Sequence, residues 1–239
     1  AGCAGSCVFT WQDEWFKRTW NTMHAVDLLN TPYWSDYQTN EQYFGLLSFD
    51  PGNEKSVCYV DGDTSEWTDD DLVVENGDMS LSMKYDEKFI YFLIEKDDFS
   101  SEDDKIYIPI DTTQKTGSTY CSNYDMSFAR ACDFLIVIDG KENSRVLVQE
   151  RYDTLRAMYY HETDDKDAYV NEVDADTPVF NPIHLMLQTA TPLLTGNWTA
   201  TAETYETGLL TYGNANPEDE DFCSLADFIF TDNGVELKL

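Results

Sequence analysis

VCYVDGDTSEW (57–67), LSMKYDEKFIYFLIEKDDF (81–99) and DKIYIPIDT (104–112) decide how this chain folds. A strand enters a tight Asp61-Gly62 turn, and an acidic loop then ends on Trp67. A hairpin follows, and a third strand closes on Asp111. Apolar and polar residues alternate through these segments, the period that sets one strand face on a core and the other in water. The pattern predicts an antiparallel β-sandwich of the jelly-roll kind. It contains no catalytic device, which turns the reading toward binding rather than chemistry.

Working outward, strands are predicted at 57–60, 79–84, 89–95, 105–110, 133–139, 145–150, 157–161, 182–188, 198–204 and 226–231. Asp139-Gly140 and Asp232-Asn233-Gly234 carry turn chemistry between apolar runs, the second leading into VELKL (235–239). Segment 112–132 reads as a long Gly/Ser/Thr/Tyr loop, and 162–181 and 213–224 as acidic ones. Loops longer than about 12 residues inside a compact domain are often functional.

Residues 1–56 differ from the rest. AGCAGSCVFTW leads into DEWFKRTWNTMHAVDLL, where Trp15, Trp20 and Met23, with Val26 and Leu29, lie near one helical face. Asp13 and Glu14 suit the start of that helix, where exposed amides favour negative charge, and Asn30-Thr31-Pro32 would end it. The expected organisation is a short N-terminal helical extension over 1–56 and a sandwich over 57–239. The start at Ala1 reads as that of a processed or excised piece of a larger multidomain protein, and the abrupt VELKL end as a truncation or as an edge strand that finishes the sheet.

The 239 residues carry 15 Lys and Arg against 46 Asp and Glu, a net charge of −31. Such a chain repels nucleic acid and anionic membrane surfaces, leaving neutral glycans, cations and basic partners. Its longest apolar runs are strand length, far below the ~20 residues of a membrane-spanning helix, so no membrane insertion is expected. Six cysteines at 3, 7, 58, 121, 132 and 223 lack zinc spacing. Cys121 and Cys132 flank a polar loop, and the spacing fits either a disulfide or reduced thiols.

The motif residues resemble a family. Asp61, Gly62, Glu66 and Trp67, then Asp86 and Tyr91, then Asp111 are similar to the pattern of carbohydrate-binding module family 9 and the related DOMON-like β-sandwiches. In those proteins an Asp-Gly turn leads to an acidic-Trp pair, a D-x-x-x-x-Y hairpin and a strand ending in aspartate. The first 50 residues resemble the last strand and following helix of a glycoside-hydrolase-type (β/α) barrel, with Gly5 to Trp11 as the strand and Asp13 and Glu14 at its end. The resemblance implies glycan binding, with a structural calcium ion often present. In this reading the protein is an accessory module of a secreted or cell-surface bacterial glycan-processing protein.

Candidate sites follow. Trp198, in TGNWTATAET, offers a flat indole that can stack on a pyranose, against ordinary packing. Tyr120, Tyr124 and Arg130 give the 112–132 segment two aromatic faces and paired donors for sugar hydroxyls. Trp67 reads as core, with a ligand platform as the alternative. Asp61 and Asp63 are hard oxygen donors of the type calcium takes. The resemblance adds Asp111, while solvated turns are the plainer reading. His24, His161 and His184 accompany no nucleophile motif. Hydrolysis of glycans needs two carboxyls on one cleft, and Asp13 and Glu14 are the pair with a positional argument. Non-catalytic polysaccharide binding is the first expectation. A glycoside hydrolase and a structural or protein-interaction sandwich are the alternatives.

Overall fold

The computed structural model describes residues 2–13, 26–27, 31–32, 44–47, 52, 55–112, 116–153, 174–189 and 202–239. It is mostly β and antiparallel, as the alternation predicts, and consistent with a sandwich-like fold. Its one α-helical turn among the described residues is Gly140–Asn143. No helix of the described residues is long and apolar enough to cross a membrane. The chain gathers into two compact units, the first from 1–49, 109–135 and 147–207, the second from 50–108, 136–146 and 208–239. The sequence places its boundary at Val57 instead.

In the first unit, β1 (Val26–Asp27) pairs with β2 (Thr31–Pro32). Val26 therefore lies in a short ladder where the sequence expects the last turn of a helix. Residues 14–25 and 28–30, the rest of that helix, lie outside the described residues.

The second unit is built on a five-stranded sheet. Its strands are β3 (Leu72–Asn76), β4 (Met79–Tyr85), β5 (Ile90–Lys96), β14 (Phe228–Phe230) and β15 (Gly234–Lys238), in the order β14-β15-β5-β4-β3. The β3–β4 turn is the two-residue Gly77–Asp78, with Asn76 paired to Met79 and Gly77 at φ 67°. Glycine adopts this conformation in tight hairpins at little cost.

Register decides which side chains share a face. Ser80 lies opposite Glu95, Ser82 opposite Leu93, and Lys84 opposite Tyr91. Glu236 is opposite Leu93 on the other side of β5, and Leu72 and Glu75 of β3 are opposite Ser82 and Ser80. These residues form one face. Phe92, Ile94, Val235 and Leu237, all buried, form the other. Each side chain so buried contributes roughly 1.5–3 kcal/mol.

At one end of the first face, Cys58, Val60, Tyr91, Ala215 and Ala226 make a small core, with Trp67, Phe89, Cys223 and Ile229 packed against it. Residues 57–60 reach it as irregular backbone rather than the predicted strand; the Val60 carbonyl accepts from Ala215 N–H at 2.7 Å.

The first unit holds a hairpin where the sequence predicts a loop. β7 (Ser118–Cys121) and β8 (Met126–Cys132) pair antiparallel with a bulge between Ser118 and Tyr120. The small and polar residues of 118–132 satisfy a two-stranded ladder without the apolar alternation that announces one. Asn123 fastens the hairpin: its amide donates to the Phe180 carbonyl and accepts from Phe180 N–H, both at 3.0 Å. Cys121 and Cys132 are buried free thiols at opposite ends of the ladder, one paired with Met126 and the other with Ser118, so they do not bridge. Residues 9–13 run beside 44–47 with a single parallel bridge, Gln12 to Leu47.

Further strands are β6 (Ile106–Ile110), β9 (Phe134–Ile138), β10 (Arg145–Gln149) and β11 (Phe180–Pro182). In the first unit Leu147–Gln149 pairs with β11, and β12 (His184–Thr189) pairs antiparallel with β13 (Ala202–Glu206).

Candidate functional site

The Asp61-Gly62 loop is shaped by its own carboxylates. Asp61 Oδ1 accepts from Asp63 N–H at 2.9 Å, and Asp63 Oδ1 accepts from Ser65 N–H at 2.9 Å. Asp63 thereby caps a short 3-10 helix, Thr64–Glu66, as an aspartate at a helix start does. Asp71 accepts from the Thr68 amide and hydroxyl at 2.8 and 2.9 Å, closing the next turn.

Beneath this loop lies Glu236, fully buried. Its Oε1 accepts from the Trp67 indole N–H at 2.6 Å, and its Oε2 from the Gly62 and Asp61 amides at 2.8 and 3.3 Å. Burial pushes the Glu236 carboxyl up to about 7, although the bonds from Trp67 and Gly62 favour its charged form. Glu66, nearby, accepts from Tyr59 N–H at 2.7 Å. Burial raises the Cys58 thiol well above its ordinary range.

Cys58, Glu66 and Glu236 bring ligand-type atoms within 4.8 Å of one another, the one such group among the described residues. The donor set does not suit an ion. Three of its four carboxylate oxygens are already aimed at N–H donors. The cluster reads as a buried hydrogen-bond network that anchors the loop and Trp67.

Beyond Trp67 the same face opens into a groove of about 300 Å³. Ser80, Ser82, Leu93 and Glu95 form its floor, Thr64, Trp67, Thr68 and Asp69 one wall, and Leu72 and Glu75 the other. A polar recess of about 580 Å³ continues from it and shares Glu75, Ser80 and Glu95. The Trp67 indole is half-buried, with Lys84 Nζ 5.3 Å from its ring centre. Lys84 is committed elsewhere, to the Glu66 carbonyl at 2.6 Å and Asp71 at 3.4 Å. Ser82 is only 8% exposed, yet its hydroxyl has no hydrogen-bond partner among the described residues and it lines the groove.

The sequence-derived candidates fall in several places. Asp61 and Asp63 hold the loop as described; Asp61 Oδ2 also accepts from Asn216 at 2.8 Å. Asp111 is exposed and belongs to the other unit. Tyr120 and Tyr124, 37% and 38% exposed, sit on the β7–β8 hairpin with Arg130, also exposed. The Tyr120 hydroxyl donates to Asp125 at 2.6 Å. Trp198 lies outside the described residues, as does Glu14. Asp13 is buried, and its carboxylate accepts from Gly45 N–H at 2.9 Å. Trp11, in the segment read as a barrel strand, is largely exposed.

The groove residues Glu75, Ser80, Ser82 and Glu95 were not singled out by the sequence. The signals were Asn76-Gly77, an overlooked hairpin turn that makes 72–76 a strand, and the Ser-x-Ser-x-Lys alternation of 80–84. Protein-family models, curated proteins and solved structures were all compared with the chain, and none matches.

Proposed function

We propose that this protein binds carbohydrate without turning it over, through the groove on the polar face of the second unit's sheet, as an accessory module of a glycan-processing protein. The observation that carries the reading is the groove's lining. It pairs an indole and two leucines with four hydroxyls, the mix of apolar surface and short polar groups that a sugar's faces and edges require. The Ser82 hydroxyl, without a partner among the described residues, adds a donor and acceptor on the groove floor that a ligand hydroxyl can meet. The exposed Tyr120, Tyr124 and Arg130 give the first unit a second surface of the same chemistry.

One observation favours a second reading. Glu75 and Glu95 flank Ser80 in register, two strand spacings apart, about 10 Å between backbones. Carboxyls about 6.5–9.5 Å apart serve inverting hydrolysis, and these side chains can span that range.

A glycan array on the full chain, with and without chelator, together with a reducing-sugar assay, separates the two. The binding reading predicts retention of at least one glycan with no sugar released. Ser82→Ala should weaken retention several-fold, and Leu72→Arg, on the exposed wall, should block it. Release of sugar that stops in Glu75→Gln or Glu95→Gln would establish the hydrolase instead. Binding indifferent to both groove variants would place the site elsewhere.

A further inference from the structure

We infer that the groove selects a glycan bearing ammonium groups, a glucosamine-type polymer, over neutral or acidic glycans. The inference rests on the carbohydrate reading above and names the class of sugar. Three carboxylates, Asp69, Glu75 and Glu95, line the groove. No lysine or arginine of the described residues engages them. Lys84 is held by Asp71 and the Glu66 carbonyl, and Lys96, at the edge of the adjoining recess, is paired with Asp104 at 3.2 Å. The groove therefore carries negative charge that the fold leaves uncompensated.

The arrangement suits an ammonium better than a bare metal ion. These carboxylates form no group with ligand atoms within 4.8 Å of one another, so they do not close on one hard cation. An ammonium donates three hydrogen bonds in a tetrahedral spread. Ser80 lies between Glu75 and Glu95 in register, and Ser82 is the next residue on that face. A carboxylate and one or two hydroxyls are thus offered side by side. Ser82, a residue only 8% exposed whose side chain has no partner among the described residues, lines the same space. Trp67 supplies an aromatic wall for the pyranose ring or for the cation. The net charge of −31 acts at longer range, drawing in a polycation and repelling uronic or sulfated chains.

The test uses the full chain and a β-linked glucosamine oligomer in calorimetry at about pH 6, below the amine's titration. Arms with the N-acetylated oligomer, a neutral glucose oligomer and oligolysine run alongside. The glucosamine oligomer should bind at least about tenfold tighter than its N-acetylated form. Glu75→Gln and Glu95→Gln should each weaken it about tenfold, while Glu102→Gln, an exposed acid away from the groove, should not. Unfolding midpoints of the groove variants should match the parent, since neither carboxylate has a partner among the described residues.

Equal binding of the N-acetylated or neutral oligomer would overturn the charge selection and leave the carbohydrate reading standing. Oligolysine bound as tightly, with the same loss in Glu75→Gln and Glu95→Gln, would overturn the sugar assignment in favour of a basic peptide. Equal losses in all three variants would reduce the effect to overall charge. Failure of every glycan to bind would remove both readings.

Discussion

Glu236 and Glu95 lie on neighbouring strands of one sheet and on the same face, yet they do opposite things. Glu236 is fully buried, and both its oxygens accept from fixed N–H donors of the 61–67 loop. Glu95 stands two positions along β5 from Leu93, the residue opposite Glu236, and lines an open groove with no partner among the described residues. A buried carboxylate is tolerated only when its lone pairs are met, so the first is a structural tie. A half-exposed carboxylate in a hydroxyl-lined groove, with no partner among the described residues, is available to a ligand. The line between fold and function on this face runs along the Trp67 indole, whose N–H serves the tie while its ring walls the groove.

The comparison is broken most directly by removing the tie. Glu236→Ala would leave the Trp67 indole and the Gly62 and Asp61 amides without their acceptor. Unsatisfied buried donors cost about 1–3 kcal/mol each, so urea unfolding should show a loss of about 3 kcal/mol or more. Wild-type stability within about 0.5 kcal/mol would end the structural reading.

The next effect is in pH. Folding raises the Glu236 carboxyl from an ordinary 4.5 to about 7. The folded state therefore holds this proton more tightly than the unfolded chain does. That contribution is full below about pH 4.5 and is lost as pH rises through about 7. Stability should fall between about pH 5 and pH 8 by up to about 3 kcal/mol. In Glu236→Gln the slope over that window should shrink to whatever the other acids supply. An undiminished slope in the variant would place the titration elsewhere.

Trp67→Phe keeps the wall and removes the indole donor. It should cost about 1–2 kcal/mol, with glycan binding reduced less than in Ser82→Ala. Smallest in stability is Glu95→Gln, for which the urea midpoint should not move although binding does. A clear loss of stability there would mean that Glu95 belongs to the fold after all.

The β framework was legible in single strands: 79–85 through alternation, and 90–96 and 106–110 as apolar runs of strand length next to charged residues, while Asp232-Asn233-Gly234 marks the turn that starts β15. β3 was missed because LVVEN has no alternation; its bulge between Leu72 and Val74 breaks the period, and the signal lay in Asn76-Gly77. The β7–β8 hairpin was missed because its residues are small and polar. Trp67 was legible as core, and it does pack on the small core, but only register puts its exposed edge against Ser80, Ser82 and Glu95. The role of Glu236 was invisible because its partners lie some 170 residues away in sequence. A lone glutamate in VELKL gives no hint of burial. The Asp86 and Tyr91 pair does have a local cause. Burial works to raise the Asp86 carboxyl, but the Phe89 and Lys88 amides and the Tyr91 hydroxyl outweigh it and hold it low.

β3 has a consequence of another kind. It is the outermost strand of its sheet, and all five of its residues, Leu72, Val73 and Val74 among them, are exposed. Such a strand is a template for a second chain unless charge or shape forbids pairing. Glu75 is its one charged residue, so long-range repulsion between copies, each carrying −31, does most of the guarding. Salt at 0.1 M shortens that repulsion to about 10 Å. The acidity thus keeps these edges apart, and concentrated brine is the condition under which copies would begin to zip together along them.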